Sequence, residues 1–254
     1  MLIESRNNKL IREILKLREK NYRDKSNQFI IEGKKFVDEI PTSWQINKIV
    51  VAQSFALAKN YANVFVLPDK LFAQIADTKH SQGILAICAK KNFFLDDFTL
   101  KENSLFVIAE KINDPGNLGT LIRSCAAFNV DGLIISKGSV DLYNPKVLRA
   151  TAGNIFKLNI ATDCDLEIYL PKLKRNDVKI FAASGNAEKF CFDANFKSKC
   201  AIIVGNEANG ISENVLSQAD EIIKIPMENK VESLNISTAT SILLYEAWRQ
   251  KYFM

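Results

Sequence analysis

From residue 104 onward, short uninterrupted apolar runs alternate with stretches in which apolar positions recur every three or four residues. The runs Ser104–Ala109, Gly132–Ser136, Lys179–Ser184, Ala201–Gly205 and Glu221–Ile225 have strand length and are rich in β-branched residues. Helical spacing predicts helices over Leu118–Phe128, Pro145–Thr151, Leu166–Lys174 and near Ser212–Gln218, with a strongly helical tail through Ser241–Trp248. Strands that are apolar throughout and alternate with helices make a parallel sheet covered on both faces. Ligands in such a sheet sit beyond the carboxyl ends of its strands, so the turns after Ala109, Gly205 and Ile225 are the places to search for chemistry.

The first ninety residues read differently. Leu10, Ile14 and Leu17 form a core-facing stripe at helical spacing, with Lys9, Arg12 and Lys16 on the same helix. Gln28–Gly33 reads as a strand, Lys34–Glu39 as a short helix, Trp44–Ala52, Asn63–Leu67 and Gly83–Ala89 as further strands, and Ser54–Asn60 as a helix. This is a small mixed α/β domain over residues 1–90. Lys90–Asn103 mixes charges and aromatics without a clean period, so residues 91–103 are read as a linker to a second domain over 104–254.

Composition changes this picture little. A chain of 254 residues suits two domains, and 47% apolar with 25% charged residues is ordinary for a globular protein. The apolar runs are strand-length, and no hydrophobic segment follows Met1, so a cytoplasmic protein without a membrane span is expected. Five dispersed cysteines with no C-x-x-C spacing read as buried small apolar residues. Charge is more informative. Residues 1–36 hold ten Lys or Arg against five acids, an excess that equals the whole chain's net charge of +5. A basic segment on a neutral body fits a polyanion-binding arm, nucleic acid first, and it equally fits a solvated helix face; both readings stand.

The first of the three turns is Asn113-Asp-Pro-Gly-Asn-Leu-Gly119, in which Asn117 is expected to cap the following helix. Arg123 follows on the second helical turn, where its guanidinium could grip a phosphate bidentately or simply face solvent. The second, Gly205-Asn-Glu-Ala-Asn-Gly210-Ile-Ser212, imitates the spacing of a phosphate-binding P-loop, but Ile211 stands where the lysine is required. The third, Ile225 to Thr240, places Ser233 and Asn235 just before the helical tail. No G-x-G-x-x-G follows a strand and no G-x-S-x-G occurs; His80 is the single histidine, read as a loop residue, so a two-histidine metal site cannot form. What remains is group transfer from an already activated donor, the chemistry that asks least of the protein.

Taken together, Asp114-Pro-Gly-Asn-Leu-Gly with Arg123, Val204-Gly-Asn-Glu-Ala-Asn-Gly, and Ile225-Pro-Met with Ser233-Leu-Asn-Ile-Ser resemble the three signature motifs of the SpoU (TrmH-like) RNA ribose 2′-O-methyltransferases of the SPOUT superfamily. Ser139 to Gly153 resembles that family's middle segment. Ser5-Arg-Asn-Asn and Phe29-Ile-Ile-Glu-Gly-Lys are similar, less specifically, to the substrate-binding domain of its rRNA-directed branch. The resemblance implies an α/β fold with a parallel sheet and a C-terminal trefoil knot, an L30e-like N-terminal domain, and a homodimer without metal. It implies S-adenosylmethionine as donor, with the backbone around Gly205, Ile225 and Leu234 at the adenosyl group. Asn117, Arg123, Glu207, Ser233 and Asn235 would form the catalytic surface, and Arg6, Lys9, Arg12, Lys146 and Arg149 would meet RNA. Ribosomal RNA is favoured over tRNA; a tRNA methyltransferase or a non-catalytic RNA-binding assembly protein are the alternatives. Asn129 and Asn229 stand where the family usually has Gly, and Thr151 where it usually has Ser. Asn is the residue best suited to replace Gly at positive φ. Leu243, Leu244 and Trp248 of the tail would serve a dimer contact or the chain's own core.

Overall fold

The structure is a computed structural model that describes residues 1–78, 80–228 and 233–253; Asn229 therefore lies outside the described residues. It contains two compact units, one of Met1–Lys91 with Tyr143–Phe156, the other of Asn92–Leu142 with Lys157–Met254. The sequence reading assigned Tyr143–Phe156 to the second domain.

In the first unit, α1 (Lys9–Lys16), α2 (Lys20–Ser26), β1 (Gln28–Glu32), α3 (Lys34–Asp38), β2 (Ile46–Ala52), β3 (Val64–Leu67), α4 (Asp69–Ile75) and β4 (Ile84–Ala89) surround a sheet of order β1-β4-β2-β3. β4 runs antiparallel to β1 and β2, and β3 parallel to β2. Leu10, Ile11, Ile14 and Leu17 pack on Val50, Leu67, Phe72 and Leu85, so the expected apolar stripe does face the core. Asn8 caps α1 by accepting from Leu10 N at 2.9 Å.

The expected helix over Ser54–Asn60 does not form. Asp69 Oδ1 instead takes hydrogen bonds from Ser54 N (3.1 Å) and Oγ (2.7 Å), fixing the chain in a turn. The helices α2 and α4 were not foreseen: α2 carries no clean apolar period, and the helical spacing of Leu71, Phe72 and Ile75 in α4 was overlooked.

The second unit carries β5 (Leu105–Ala109), α5 (Pro115–Ala127) and β6 (Gly132–Ser136). After α6 (Pro145–Thr151), which belongs to the first unit, come β7 (Ile160–Cys164), α7 (Leu166–Arg175), β8 (Lys179–Ala183), β9 (Lys189–Phe190), β10 (Cys200–Val204), α8 (Glu213–Leu216), β11 (Glu221–Lys224) and α9 (Ile236–Phe253). The sheet has seven strands in the order β7-β6-β5-β10-β8-β11-β9, every neighbouring pair parallel. The chain runs outward from β5 to β7, crosses back to β8, and then inserts β10 between β5 and β8. The order in which the chain adds strands thus reverses beside β5 and β10, where such sheets open a crevice at their carboxyl ends.

Residues 92–103, expected as a linker, send Leu95 and Phe98 into this unit's core. Phe98 lies 5.9 Å from Phe106, and a Cβ on Gly132 would come within 2.9 Å of its ring. β7 escaped the sequence reading because Thr162 and Asp163 interrupt its apolar run and Asp163 adopts a left-handed φ of 54°. Leu243 and Leu244 are fully buried within the chain, which settles their role as core. All five cysteines are free and buried; removal from water pushes the Cys88 thiol up to about 12 and Cys200 to about 11. Among the described residues no helix is long and apolar enough to cross a membrane.

Candidate active site

The carboxyl end of β5 sets the frame. Glu110, next after β5 and only 3% exposed, accepts hydrogen bonds from Ser212 N (2.9 Å) and Ser212 Oγ (2.6 Å). A buried carboxylate needs such partners, and these tie β5 to the far end of the turn that follows β10. The near end of that turn doubles back on itself. Asn206 and Gly210 exchange N–H···O bonds of 2.8 and 2.9 Å, and a Cβ on Gly205 would lie 2.2 Å from the carbonyl carbon of Gly210. Glycine is therefore required at 205 for close approach rather than for its φ. Asn206 Oδ1 accepts from Ala208 N (2.9 Å) and Asn209 N (3.1 Å), stiffening the turn that presents Glu207.

α5 begins earlier than the sequence suggested. Asp114, not Asn117, is the N-cap, accepting from Asn117 N at 2.7 Å, with Pro115 at the first helical position. Aspartate followed by proline was the overlooked signal. The Asn117 side chain is thereby free for another task. Its Nδ2 donates to Glu207 Oε1 (3.0 Å), and its Oδ1 accepts from Asn235 Nδ2 (2.8 Å). Asn235 caps α9, its Oδ1 accepting from Ser237 N (3.0 Å) and Oγ (2.6 Å). The amide orientations follow from the partners: a carboxylate only accepts, so Asn117 must turn its NH2 to Glu207 and its oxygen to Asn235. One chain of hydrogen bonds, Glu207–Asn117–Asn235, thus joins all three turns.

Around this chain lies a cleft of about 630 Å³, within the range of small-molecule sites. Asn117, Gly205, Glu207, Ile225, Ser233, Leu234 and Asn235 all line it. So do Ser184, Gly185 and Asn186, which follow β8; the strand-end rule that flagged the other turns would have found these too. Val204, Ile211, Leu216 and Ile236 supply apolar wall. Among the described residues no group of three His, Cys, Asp or Glu side chains is placed to hold a metal.

Arg123 is placed differently. It is exposed on the outer stripe of α5 with Gly116, Thr120 and Ala127, about 9 Å along the helix axis from Asn117, and is not among the cleft-lining residues. Arg6, Lys9, Arg12, Lys146 and Arg149 are exposed and belong to the first unit. Arg12 donates to Asn7 O at 2.8 Å, and Arg149 is ion-paired with Asp77. Asn129 holds φ 52°, as expected of a residue standing in for glycine, and Thr151 is buried with Oγ1 donating to Leu148 O at 2.7 Å.

Residues 104–245 match the model of the SpoU rRNA Methylase family, and residues 8–86 that of the MRM3-like substrate binding domain. The 23S rRNA (guanosine(2553)-2′-O)-methyltransferase RlmP of Bacillus subtilis is 28% identical over 247 residues, covering 96% of this chain and 97% of that protein. Among solved structures, the AdoMet-bound rRNA methyltransferase from Sinorhizobium meliloti superposes with a TM-score of 0.89 at 25% identity, covering 100% of this chain and 99% of that one. The SpoU methyltransferase AviRb from Streptomyces viridochromogenes, in complex with AdoMet, gives a TM-score of 0.90 at 22% identity over 97% of this chain and 99% of its own.

Proposed function

The chain belongs to the SpoU rRNA methylase family, and from that premise and its cleft we propose that it methylates a ribose 2′-hydroxyl of 23S-type ribosomal RNA, using S-adenosylmethionine. The observation that carries this reading is the Glu207–Asn117–Asn235 chain, which brings the three turns to one cleft.

The cleft suits the donor. The apolar wall fits a purine, the backbone around Gly205, Ile225 and Leu234, which line the cleft, would offer groups to an adenosyl moiety, and the Glu207 carboxylate favours a cation. When bound, S-adenosylmethionine supplies an electrophilic methyl group on a positively charged sulfur. The protein's task is to hold the ribose oxygen in line with it. Asn117 keeps one N–H and one oxygen lone pair unspent, Asn235 keeps one N–H, and Ser233 lines the same wall. These groups can fix the sugar's hydroxyls, and alignment of that kind is worth on the order of 7 kcal/mol or more. Arg123, which lies outside this cleft, would bind an adjacent RNA phosphate bidentately. It does not take the proton, because a guanidinium has only donors and no lone pair to accept one; phosphate or water receives it.

The same reading extends to the rest of the molecule. Arg6, Lys9, Arg12, Lys146 and Arg149 contact RNA from an L30e-like first unit; the match of residues 8–86 to a substrate-binding domain supports this for Lys9 and Arg12. The insertion of β10 between β5 and β8 before β11 and α9 fits a trefoil knot in the C-terminal chain. The protein works as a cytoplasmic homodimer; Tyr245, Tyr252 and Phe253 of α9, 54%, 53% and 71% exposed, offer apolar surface to a second copy.

The test is methyl transfer from tritiated S-adenosylmethionine to an unmodified 23S rRNA transcript, followed by alkaline hydrolysis. Label in a single alkali-resistant dinucleotide is expected. Label confined to a base, or absent, would overturn the assignment.

A further inference from the structure

Among the described residues, seven non-glycine positions hold positive φ, and five of them are Asn or Asp, whose short polar side chains tolerate that conformation. The other two are Ala152, φ 50°, which ends α6, and Lys111, φ 51°, in the turn after β5. A lysine has no local means of relieving such a backbone. The conformation is imposed from outside: Lys111 N donates to Ser136 Oγ at the end of β6 (2.8 Å), and Lys111 O accepts from Asn206 Nδ2 (2.7 Å). Asn206 belongs to the stiff turn that presents Glu207 and itself lines the cleft. Lys111 is thus fixed one hydrogen bond away from the cleft wall.

Its side chain starts along Gly138, where an added Cβ would sit 3.6 Å from Lys111 Cγ, and the residue is exposed. Among the described residues no ion pair or hydrogen bond engages its ammonium. The acids closest in sequence and on the rim are committed elsewhere: Glu110 to Ser212, Asp114 to the α5 cap, Glu207 to Asn117. Glycine would meet the backbone requirement with less strain. What lysine adds is a flexible stem ending in a strongly hydrated point charge, a standard partner of phosphate. Strain in an L-residue beside a reactive cleft is where a functional side chain is to be sought.

We infer that Lys111 is a substrate-positioning residue, whose ammonium binds an RNA phosphate next to the ribose held at Asn117 and Asn235. This rests on the RNA-methylation reading above. The contact acts on RNA affinity and register, not on the donor.

The experiment uses the full chain with an in vitro 23S rRNA transcript and S-adenosylmethionine. Lys111→Gly removes the ammonium while suiting the left-handed backbone, so its fold should hold, which a melting curve checks. Expected are a rise in KM for RNA of about three- to tenfold with kcat within about twofold, unchanged affinity for the donor by calorimetry, and a salt dependence of RNA binding shallower by about 0.7–0.9 log units per log unit of salt, one phosphate's share. Lys111→Arg should recover most of the affinity. Unchanged KM and salt slope in Lys111→Gly would overturn the inference, as would a parallel fall in kcat and donor affinity, which would assign the side chain to cleft structure. A wild-type protein that neither binds nor methylates the transcript would instead overturn the parent reading, and this contact with it.

Discussion

At the scale of single residues, Asn117 shows both what sequence can say and where it stops. The local pattern gave it a structural role, the cap of the following helix, and only the resemblance placed it on the catalytic surface. Its neighbour Asp114 takes the capping role, and that exchange is what lets the Asn117 amide bridge Glu207 and Asn235. Arg123 was read from its place on the helix as either a phosphate grip or a solvent-facing residue, and nothing in the local pattern could tell its exposed helix face from the cleft face. Replacing Asn117 by Ala should cut both bridging bonds while leaving the Asp114 cap intact. Single-turnover methyl transfer is expected to slow by about 10²-fold, the cost of a misplaced reacting group, with donor affinity changed far less. Transfer at the wild-type rate would show that the bridge is not needed to hold the ribose.

At the scale of elements, β1, β3, β4, β5, β6, β8, β10 and β11 all fall within a residue of expectation, so a short apolar run was legible whether the strand is buried throughout, as β5 is, or alternates, as β1 does. The elements that were missed or invented are short or irregular, with β7 bent by Asp163 and the stretch after Ser54 claimed by Asp69. The turn after β10 is an element in its own right, closed by the Asn206–Gly210 pair and locked by Glu110. Sequence showed its glycines but took their spacing as a failed P-loop, when Gly205 is there to let backbone pass backbone. Gly205→Ala should force the two strands of the turn apart. A cost of about 1–3 kcal/mol in chemical denaturation is expected, as for other overpacked sites, with donor affinity falling in step as Glu207 moves. An alanine variant with native stability and native donor binding would refute the close approach.

At the scale of the whole molecule, the informative feature is that the division into compact units is not the division of the sequence. Residues 143–156 leave the second unit's run of strands and complete the first unit's core. Tyr143 lies 4.5 Å from Phe29 and hydrogen-bonds Lys91 N (3.0 Å) and O (2.7 Å), and Phe156 packs edge-on against Trp44 at 5.0 Å. Periodicity could not reveal this, because α6 has the same helical pattern whichever core it serves, and only long-range contacts decide the matter. A cut in the chain at Lys91 therefore breaks the first unit as well as freeing it. The fragment 1–91 should unfold at lower denaturant than the intact protein. Its one tryptophan, Trp44, 7% exposed in the full chain, should emit as a solvated indole, since aromatic partners on one side have been removed. Adding a peptide of residues 143–156 should shift that emission back toward the buried value, as a ligand that binds only the folded form would. A fragment whose emission and unfolding midpoint already match the intact chain, with no response to the peptide, would show that the first ninety residues hold their core unaided.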